Sequence, residues 1–380
     1  MWKVAAVMAR HRIHHAPPSL CCPHCRGQAR DLFYHSTYQT RDGPRLLWQC
    51  HLCGRCLSER RGTAFFNLKT AELEVARSLD AMLRGDTQTS TAQTRRHRRE
   101  TLRRWRRRAA PAARAVDQDF VTDLSITDLE LDEQWSFAGK QKALFADSSQ
   151  CGEAWWHKAM ARESRLMVEQ FVSPRTTEAA ELLVNQSFDR LAVRCLPRVS
   201  SDGDDAYTGP LSEQVKVVTV YPLQWALMKG KRGRPPQPKA IPDPALVYGQ
   251  VVKQREGRRV VKPALVYGQV VKQREGRRVV KVEKRLVLGP STTDLKAIST
   301  SLLERQNGTA RSRNRYLVRK TYAFAKKVQY MDDQCAVDKT LYNFCRKHRG
   351  LKGETPAMRQ GLTNHIWSVA EVLRYRSAVP

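Results

Sequence analysis

Apolar and polar residues alternate along one stretch near the middle of the chain. In SITDLELDEQWSF, which begins at Ser125, apolar Ile126, Leu129 and Leu131 are separated by polar neighbours. This period of two predicts a half-buried β-strand. The same patterning predicts further elements downstream, namely two strands within Trp155–Val172 that are separated near Arg162–Ser164, a helix over Thr176–Phe188 and a short strand over Val193–Ser201.

Helical spacing of apolar residues dominates other regions. Thr70–Arg84 places apolar residues on one face and is followed by Gly85, which predicts a helix that ends there. Asp86–Trp105 predicts two further short helices that resemble a helix-turn-helix, with a solvated basic helix as the alternative. Pro111–Asp119 is interpreted as a linker. Thr300–Lys327 predicts one long, basic helix.

A perfect duplication interrupts the C-terminal half. The nineteen residues PALVYGQVVKQREGRRVVK run from Pro244 to Lys262 and again from Pro263 to Lys281. Repeat architectures generally need three or more units, so two undiverged copies favour a recent in-frame duplication. Each copy predicts a β-hairpin, although Pro263 interrupts the return strand of the first. We therefore expect the outer hairpin arms to stay in a sheet and about one copy's length of chain to be extruded or to slip in register.

The charge balance predicts an acidic polymer as the partner. The 380 residues include 67 Lys and Arg against 37 Asp and Glu, a formal net charge of +30. Contacts with DNA or RNA would therefore release many counterions. No apolar run approaches the ~20 residues needed to span a bilayer, and the opening MWKVAAVMAR lacks the features of a secretory signal. An intracellular, cytoplasmic protein without a membrane segment is expected.

Two basic segments are candidates for contact with nucleic acid. Arg95–Arg108 is the denser of them, and a charge run of this kind specifies phosphate contact rather than base readout. Arg232-Gly233-Arg234-Pro235 resembles the core of an AT-hook, with a basic, proline-rich linker as the favoured alternative. The predicted DNA contacts are Arg95, Arg96, Arg98, Arg99, Arg103, Arg104, Arg106 and Arg107, together with Asn307, Arg311, Arg319 and Lys320.

Six of the ten cysteines fall between Cys21 and Cys56. Two Cys-x-x-Cys knuckles separated by a hairpin supply four thiolates that can close tetrahedrally on zinc. The predicted ligands are Cys22, Cys25, Cys50 and Cys53. Cys21, Cys56, His24 and His51 remain spare candidates, and a swap with Cys56 stays open.

Three acidic residues far apart in sequence have the chemistry of a second metal site. Asp132 lies on a predicted strand, Asp202 at the end of another, and Glu304 on a predicted helix face with Asn307 and Arg311 at i+3 and i+7. Two magnesium ions in a phosphoryl-transfer site need hard oxygen ligands, which carboxylates supply. Spacing by itself does not single these three out from the other acids.

These residues resemble those of the insertion-sequence-one family of DDE transposases. The resemblance rests on LDEQWSF around Asp132, SDGDDAY around Asp202, LLERQNGTARSRNRYLVRKTYAFAKK around Glu304 and the closing TPAMRQGLTNHIWSVAEVL. It extends to the zinc knuckles, GTAFF and TAELEVARSL, and so covers nearly the whole chain.

The resemblance implies a fold and a reaction. Asp132, Asp202 and Glu304 would form a catalytic triad that binds magnesium or manganese on a ribonuclease-H-like fold, a mixed sheet flanked by helices. The enzyme would cut terminal inverted repeats of a bacterial mobile element and join the freed 3′ hydroxyls to target double-stranded DNA, acting as a homo-oligomer. The expected organisation is a zinc ribbon (18–62), a helix-turn-helix-like region (66–110), a linker (111–125), an α/β catalytic domain (126–350) and a C-terminal tail (351–380).

Several residues depart from the family pattern. Asp204 and Asp205 stand where relatives carry an aromatic or bulky residue, and Gly308 costs up to ~1 kcal/mol of local helix stability. Glu133 and Asp205 are the nearest alternative carboxylates. Strand alternation should turn Glu133 away from Asp132, which favours a solvated or ion-paired role over a ligand role. The alternative function is therefore a zinc-ribbon DNA-binding protein of transposase ancestry that has lost catalysis, with an RNA-binding zinc-ribbon protein as a third.

Overall fold

The structure is a computed structural model. It describes residues 15–139, 151–193, 195–202, 205–214, 217–220, 239–242, 245–253, 270–275, 278–281, 283–319 and 321–376. The AT-hook-like segment, Asp204 and Lys320 lie outside these residues.

The N-terminal region forms a small antiparallel sheet. Its strands are β1 (Leu32–Thr40), β2 (Gly43–Cys50) and β3 (Cys56–Ser58), in the order β1-β2-β3. The β1–β2 register pairs the first residue of one strand with the last of the other, which brings the second knuckle next to the start of β1. Trp48 is fully buried and packs with Leu20 in a core separate from that of the rest of the chain.

Three helices follow the ribbon. They are α1 (Glu72–Leu83), α2 (Gln88–Thr94) and α3 (Arg99–Phe120). Gly85 takes a left-handed conformation with φ +111° directly after α1, as its position in the sequence predicts. Two helices follow Gly85 as expected, but the second is not short: it continues to Phe120, so the linker expected at Pro111–Asp119 is wrong.

That segment is helical because its alanine-rich face is buried. Pro111 removes one main-chain hydrogen bond but lies on the exposed face of α3, whereas Ala112, Ala113 and Val116 are buried. The carbonyl of Ala113 accepts from the Thr340 hydroxyl at 3.0 Å. Tertiary packing thus continues the helix through a proline that marks a boundary in the sequence.

A mixed sheet forms the centre of the molecule. Its principal strands are β4 (Asp128–Ala138), β5 (Gly152–Ala161), β6 (Met167–Ser173) and β7 (Arg198–Asp202), with α4 (Thr177–Asp189) between β6 and β7. The predicted strands and helix of this region are confirmed, with β7 shorter than expected. β4 pairs antiparallel with β5 and parallel with β7.

Within the described residues, six further strands follow β7, and four of them complete the central sheet on the β7 side. They are β8 (Val217–Val220), β9 (Lys239–Pro242), β10 (Tyr248–Lys253), β11 (Val270–Glu275), β12 (Arg278–Lys281) and β13 (Glu283–Leu288). The order is β12-β11-β10-β7-β4-β5-β6, with β13 also on β10 and with β8–β9 as a separate pair. A mixed sheet with helices packed on it is consistent with the expected ribonuclease-H-like fold.

The C-terminal part is helical. Its helices are α5 (Ser301–Arg313), α6 (Val328–Phe344), α7 (Pro356–Arg359) and α8 (Val369–Arg374). Single-turn 3-10 or π helices occur at Ala29–Asp31, Asp205–Tyr207, Pro210–Gln214, Leu295–Ala297, Arg315–Leu317 and Arg349–Leu351.

The single long helix predicted over Thr300–Lys327 is wrong. α5 ends at Arg313, and the backbone of the next residue, Asn314, is extended (φ −95°, ψ 108°). The Asn314 side chain accepts from the Tyr316 amide at 3.0 Å and donates to Asp338 at 2.7 Å. Asparagine competes with helical hydrogen bonding in this way, and here a partner on α6 favours the break.

One hydrophobic core joins the helices to the sheet. Leu102 and Val116 of α3 belong to the same buried cluster as Leu129 and Leu131 of β4. Residues of α8 also enter this cluster, and Arg374 bonds Glu72 of α1 at 2.6 Å. The segment 351–380, expected to be a tail, therefore contributes to the core through α8.

The two copies of the duplication meet in the sheet. β10 comes from the first copy and pairs in parallel with β11 of the second, with Val251 opposite Val270, its equivalent nineteen residues later. β11 and β12 form the antiparallel pair predicted for one copy, with Gln273 opposite Lys281. The outer arms β10 and β13 pair in the sheet as predicted, with Gln250 opposite Arg285.

These pairings share one register. The second-copy equivalent of Gln250 is Gln269, which lies four residues before Gln273 in the sequence. The partner of Gln250, Arg285, lies four residues after Lys281, the partner of Gln273. The β10–β13 pairing therefore continues the β11–β12 hairpin without a shift at this point. The continuous segment β12–β13 therefore pairs with β11 of the second copy and then with β10 of the first copy, so both copies contribute to one arm of the hairpin.

Candidate functional site

The acidic site forms where two parallel strands end side by side. The β4–β7 register pairs Leu131 with Ser201, and the next residue on each strand is an aspartate, Asp132 or Asp202. One carboxylate oxygen from each of Asp132, Glu133 and Asp202 lies within 4.8 Å of the others, an arrangement that could hold a metal ion. Carboxylate oxygens are the ligands that magnesium and manganese prefer.

One oxygen of Glu133 reaches this cluster, although alternation along β4 predicts that the residue faces away from Asp132 in a solvated or ion-paired role. Its side chain is only 3% exposed, and an ion pair with Arg175 is present at 3.8 Å. The Tyr207 hydroxyl also donates to it. Burial, then the negative charge of Asp202, raise the pKa of Glu133 to about 8. The glutamate side chain has one methylene more than aspartate and reaches the strand end at which the aspartates lie.

Glu304 lies on α5 and is outside this three-residue group. Its Oε1 accepts a hydrogen bond from the Thr300 hydroxyl at 2.9 Å. Its charge also contributes to the raised pKa of Glu130 on β4. The third predicted acid therefore faces the site strand without joining the clustered carboxylates.

Glu130 attaches α5 to the site strand. Its Oε2 accepts from the backbone amide of Leu303, in the first turn of α5, at 2.8 Å. A carboxylate at a helix N-terminus satisfies an otherwise unpaired amide and interacts favourably with the helix dipole. Glu130 is buried, and burial is the main cause that raises its pKa to about 7. β4 thus carries both Asp132 and the residue that holds α5 beside it.

A buried polar network connects Asp132 to β5. The Asn307 amide donates to Asp132 Oδ2, and Lys158 Nζ donates to Asn307 Oδ1. Lys158 also donates to Gln134 at 3.1 Å and to Gln306 at 3.4 Å. Burial lowers the pKa of Lys158 to about 7, while the charge of Asp132 acts in the opposite direction. Asn307, predicted to contact DNA, lies in this buried network.

Sequence reasoning missed Lys158. A signal was present, because the lysine sits within GEAWWHKAMA, a predicted strand otherwise rich in apolar residues. A lysine on the buried part of a strand needs a specific partner. Neither its facing residues nor its relation to Asp132 could be read from that stretch alone.

Two arginines predicted to contact DNA lie after Glu304 in the sequence: Arg311 is on α5, and Arg319 follows the end of that helix. Arg311 is partly buried, and burial lowers its pKa, as does the charge of Arg319, against the opposing charge of Asp132. Arg319 is exposed. Arg311 therefore puts positive charge near Asp132.

The four predicted zinc ligands come together in the ribbon. One Sγ from each of Cys22, Cys25, Cys50 and Cys53 lies within 4.8 Å of the others. Two of the sulfur–sulfur distances are 3.5 Å (Cys22–Cys53) and 3.4 Å (Cys25–Cys50). A tetrahedral site with zinc–sulfur bonds of about 2.3 Å has sulfurs roughly 3.8 Å apart, so the donor set fits zinc.

Local hydrogen bonds favour the thiolate form at one of these cysteines. Burial by itself raises the pKa of the Cys22 thiol, but backbone hydrogen bonds from His24 and Cys25 oppose this and lower it to about 7. Gly54 has φ +71° behind the second knuckle, the tight turn that its position predicts. Cys56 is exposed on β3 and is not in the four-cysteine group.

The basic segment lies on α3 and the turn before it. Arg106 and Arg107 stack over Tyr316 and Tyr330, with guanidinium carbons 4.6 and 4.1 Å from the ring centroids. Arg103 pairs with Glu100 at 2.7 Å. Within this segment, the exposed members of the predicted set are Arg96, Arg98, Arg99, Arg104 and Arg107. These side chains offer positive charge to solvent along one stretch of the helix.

Among the helices that the structure describes, none combines the length and apolar character needed to cross a bilayer.

Comparisons with known proteins give little likeness. No protein-family model matches the chain, and no curated protein matches it. A solved structure that it resembles is the crystal structure of the Mos1 strand transfer complex, with 11% sequence identity and a TM-score of 0.15. The match covers 37% of this chain and 52% of that chain, so the chain spans about half the length of the solved one. At that TM-score the likeness supports no argument about function.

Proposed function

We propose that this protein is a DDE-type DNA transposase, which cleaves DNA at the ends of a mobile element and transfers the strands to target DNA. The observation that carries the proposal is the placement of Asp132 and Asp202 at adjacent positions of two parallel strands, with their carboxyl groups clustered. The clustered oxygens fit a hard divalent cation. The net charge of +30 is suited to a polyanionic substrate.

Magnesium or manganese held by these residues would supply Lewis-acid chemistry at a phosphate and activation of an attacking oxygen. Asp132 and Asp202 are the two core ligands in this proposal. Glu304 remains the third ligand that the family resemblance implies, and Glu133 is the third carboxylate that the geometry supports. Substitution of each one distinguishes between them.

Two other parts of the chain would bind DNA. The four cysteines would hold zinc and give the ribbon a folded core. The exposed arginines of α3 and the preceding turn, with Arg319 and Lys320, would contact phosphates. We also propose that the active form is a homo-oligomer, since joining two element ends requires two active sites.

A second candidate is a DNA-binding protein of transposase ancestry that has lost catalysis. The observation that favours it is the position of Glu304, which bonds Thr300 and is not grouped with Asp132 and Asp202.

The deciding experiment is a cleavage and strand-transfer assay with magnesium. The substrates are duplexes that carry the DNA bordering the gene on each side, and the product is a 3′ end joined to a plasmid. The proposal expects activity in the wild type and its loss in Asp132→Asn and Asp202→Asn. Comparing Glu304→Gln with Glu133→Gln identifies the third ligand, and Glu153→Gln, at an exposed position on β5, is the matched control.

Activity that survives substitution of both aspartates would eliminate the proposed site. Tight, salt-dependent DNA binding with no cleavage by the wild type would select the second candidate.

A further inference from the structure

Two lysines of the described chain are almost fully buried but have different partners. Lys339 is 1% exposed and lies among carboxylates, with Nζ 2.8 Å from Asp117 and 3.8 Å from Glu169. Lys158 is 0% exposed, and its hydrogen-bond partners in the polar network are three neutral amide oxygens. Removing an ammonium group from water without a bonded counter-charge destabilises a fold. Stability alone therefore does not explain Lys158.

The hydrogen-bonding capacity of lysine orients the next residue in the network. Lys158 Nζ donates to Asn307, so the atom of Asn307 that faces Lys158 is the amide oxygen Oδ1. The amide nitrogen of Asn307 then faces Asp132 and donates to its Oδ2. With Lys158 in place, the Asn307 amide has a single chemically consistent orientation.

The backbone places these residues in a rigid setting. Lys158 is the direct cross-strand neighbour of Asp132 in the long antiparallel pairing of β4 and β5. Its Nζ lies 4.4 Å from the ring centroid of Trp156, which is itself fully buried. Asn307 is held on α5, the helix that Glu130 attaches to β4. The relation therefore depends on a sheet and a docked helix rather than on a loop.

We propose that Lys158 is a positioning residue for the metal site: it fixes the orientation of Asn307, and Asn307 in turn holds one oxygen of Asp132. The proposal rests on the function proposed above, because it takes Asp132 to be a metal ligand. Mutation of a residue that orients a metal ligand through a hydrogen bond typically lowers metal affinity by roughly 10- to 100-fold. Lys158 touches neither the metal nor the substrate in this role.

The test uses the full-length, zinc-loaded protein and Mn²⁺ alone as the probe. Lys158→Met keeps a similar apolar volume but removes the donor. We expect it to bind Mn²⁺ about 10-fold more weakly by electron paramagnetic resonance titration. We also expect its Tm to fall less than that of Lys339→Met, because the ammonium removed is bonded to amide oxygens and not to carboxylates. A crystal structure should show Asn307 or Asp132 in a changed rotamer.

Two controls separate this role from a general structural one. Lys339→Met removes the other buried lysine and should lower Tm, since it leaves Asp117 and Glu169 buried with less counter-charge, but it should leave Mn²⁺ affinity unchanged. In the double variant Lys158→Met with Asn307→Ala, Mn²⁺ affinity should equal that of Asn307→Ala alone, because Lys158 acts through Asn307. If Lys158→Met does not fold, Asn307→Ala must by itself weaken Mn²⁺ binding.

Wild-type Mn²⁺ affinity in Lys158→Met, with the Asn307–Asp132 contact retained in its crystal structure, would overturn the positioning role. Failure of the proposed function gives a different result: Mn²⁺ does not bind the wild type, or it binds Asp132→Asn equally well. In that case the crystal structures alone decide whether Lys158 positions Asn307.

Discussion

The Tyr207 hydroxyl donates a hydrogen bond to Glu133 inside the acidic cluster, where both side chains are shielded from solvent. This contact partly offsets the burial of Glu133, yet the pKa of the carboxyl is still raised to about 8. Burial therefore disfavours the charged form of Glu133 despite this hydrogen bond and the ion pair with Arg175.

A pH dependence of stability follows from that shift. The pKa of Glu133 in the folded state lies above its ordinary value near 4.5. The contribution of this group to the free energy of unfolding is therefore fully present below about pH 4.5 and is lost as the pH rises towards 8. Glu133→Gln should therefore be more stable than wild type at pH 8, by about 1–3 kcal/mol, and similar to it at pH 4.5. Urea unfolding at both pH values measures the difference.

Glu153→Gln is the control for that prediction, because Glu153 is exposed on β5. It should follow the wild type at both pH values. A Glu133→Gln protein that loses stability at pH 8 would show that the carboxylate is better accommodated than its burial indicates.

Zinc removal should unfold the ribbon selectively. Cys50→Ser removes one of the four grouped thiols and should reduce zinc content and increase amide exchange in β1 and β2, because structural zinc contributes folding energy directly. Cys56→Ser should keep full zinc content, since Cys56 is exposed and outside the group. Elemental analysis and hydrogen exchange provide the readouts, and loss of zinc from Cys56→Ser would reassign that ligand.

The exposed arginines of the basic segment should control the salt dependence of DNA binding. Replacing Arg98, Arg99 and Arg104 with alanine removes three solvent-facing charges. The slope of log K against log salt is negative, and its magnitude should decrease by about 0.9 for every phosphate that the variant no longer neutralises. Arg359→Ala removes an exposed arginine on α7 and should leave the slope unchanged. Fluorescence anisotropy at several salt concentrations gives the slopes, and equal slopes for both variants would refute the assignment.

Deleting Pro263–Lys281 should preserve or raise stability and activity. The β10–β13 pairing continues the register of the β11–β12 hairpin, so the first copy alone can complete that hairpin arm. Thermal unfolding and the strand-transfer assay test this. Collapse of both on deletion would show that the second copy has become integral to the fold.

A glycine in the duplicated strand shows which copy occupies the sheet. A Cβ at Gly249 would collide with the buried Ile298, so Gly249→Val should cost about 1–3 kcal/mol in the deletion variant. The full-length chain retains Gly268 at the equivalent position. If Gly249→Val lowers the free energy of unfolding less in the full-length chain than in the deletion variant, the second copy can take the place of the first in the sheet. An equal loss in both proteins would show that the first copy stays in the sheet. Gly268→Val is the matched control.

Local patterns in the sequence determined much of the fold and one of the two metal-site candidates. The alternation in β4 and the helical spacing in α1 and α4 predict those elements because burial of one face repeats with the period of the backbone. The two knuckles predict the cysteine group because each supplies a pair of ligands from a short local turn. The duplication is visible in the sequence alone.

Only the tertiary structure decided what depends on contacts between distant elements. Pro111 marks a boundary in the sequence, but packing of the neighbouring alanines continues α3 through it. Asn314 breaks the predicted long helix because Asp338 on another helix accepts its side chain. The closeness of Glu133 to the two aspartates, and the contact of Lys158 with Asn307, follow from the register of β4 with β5 and β7 and from the docking of α5. Those relations span many residues along the chain, and no local pattern records them.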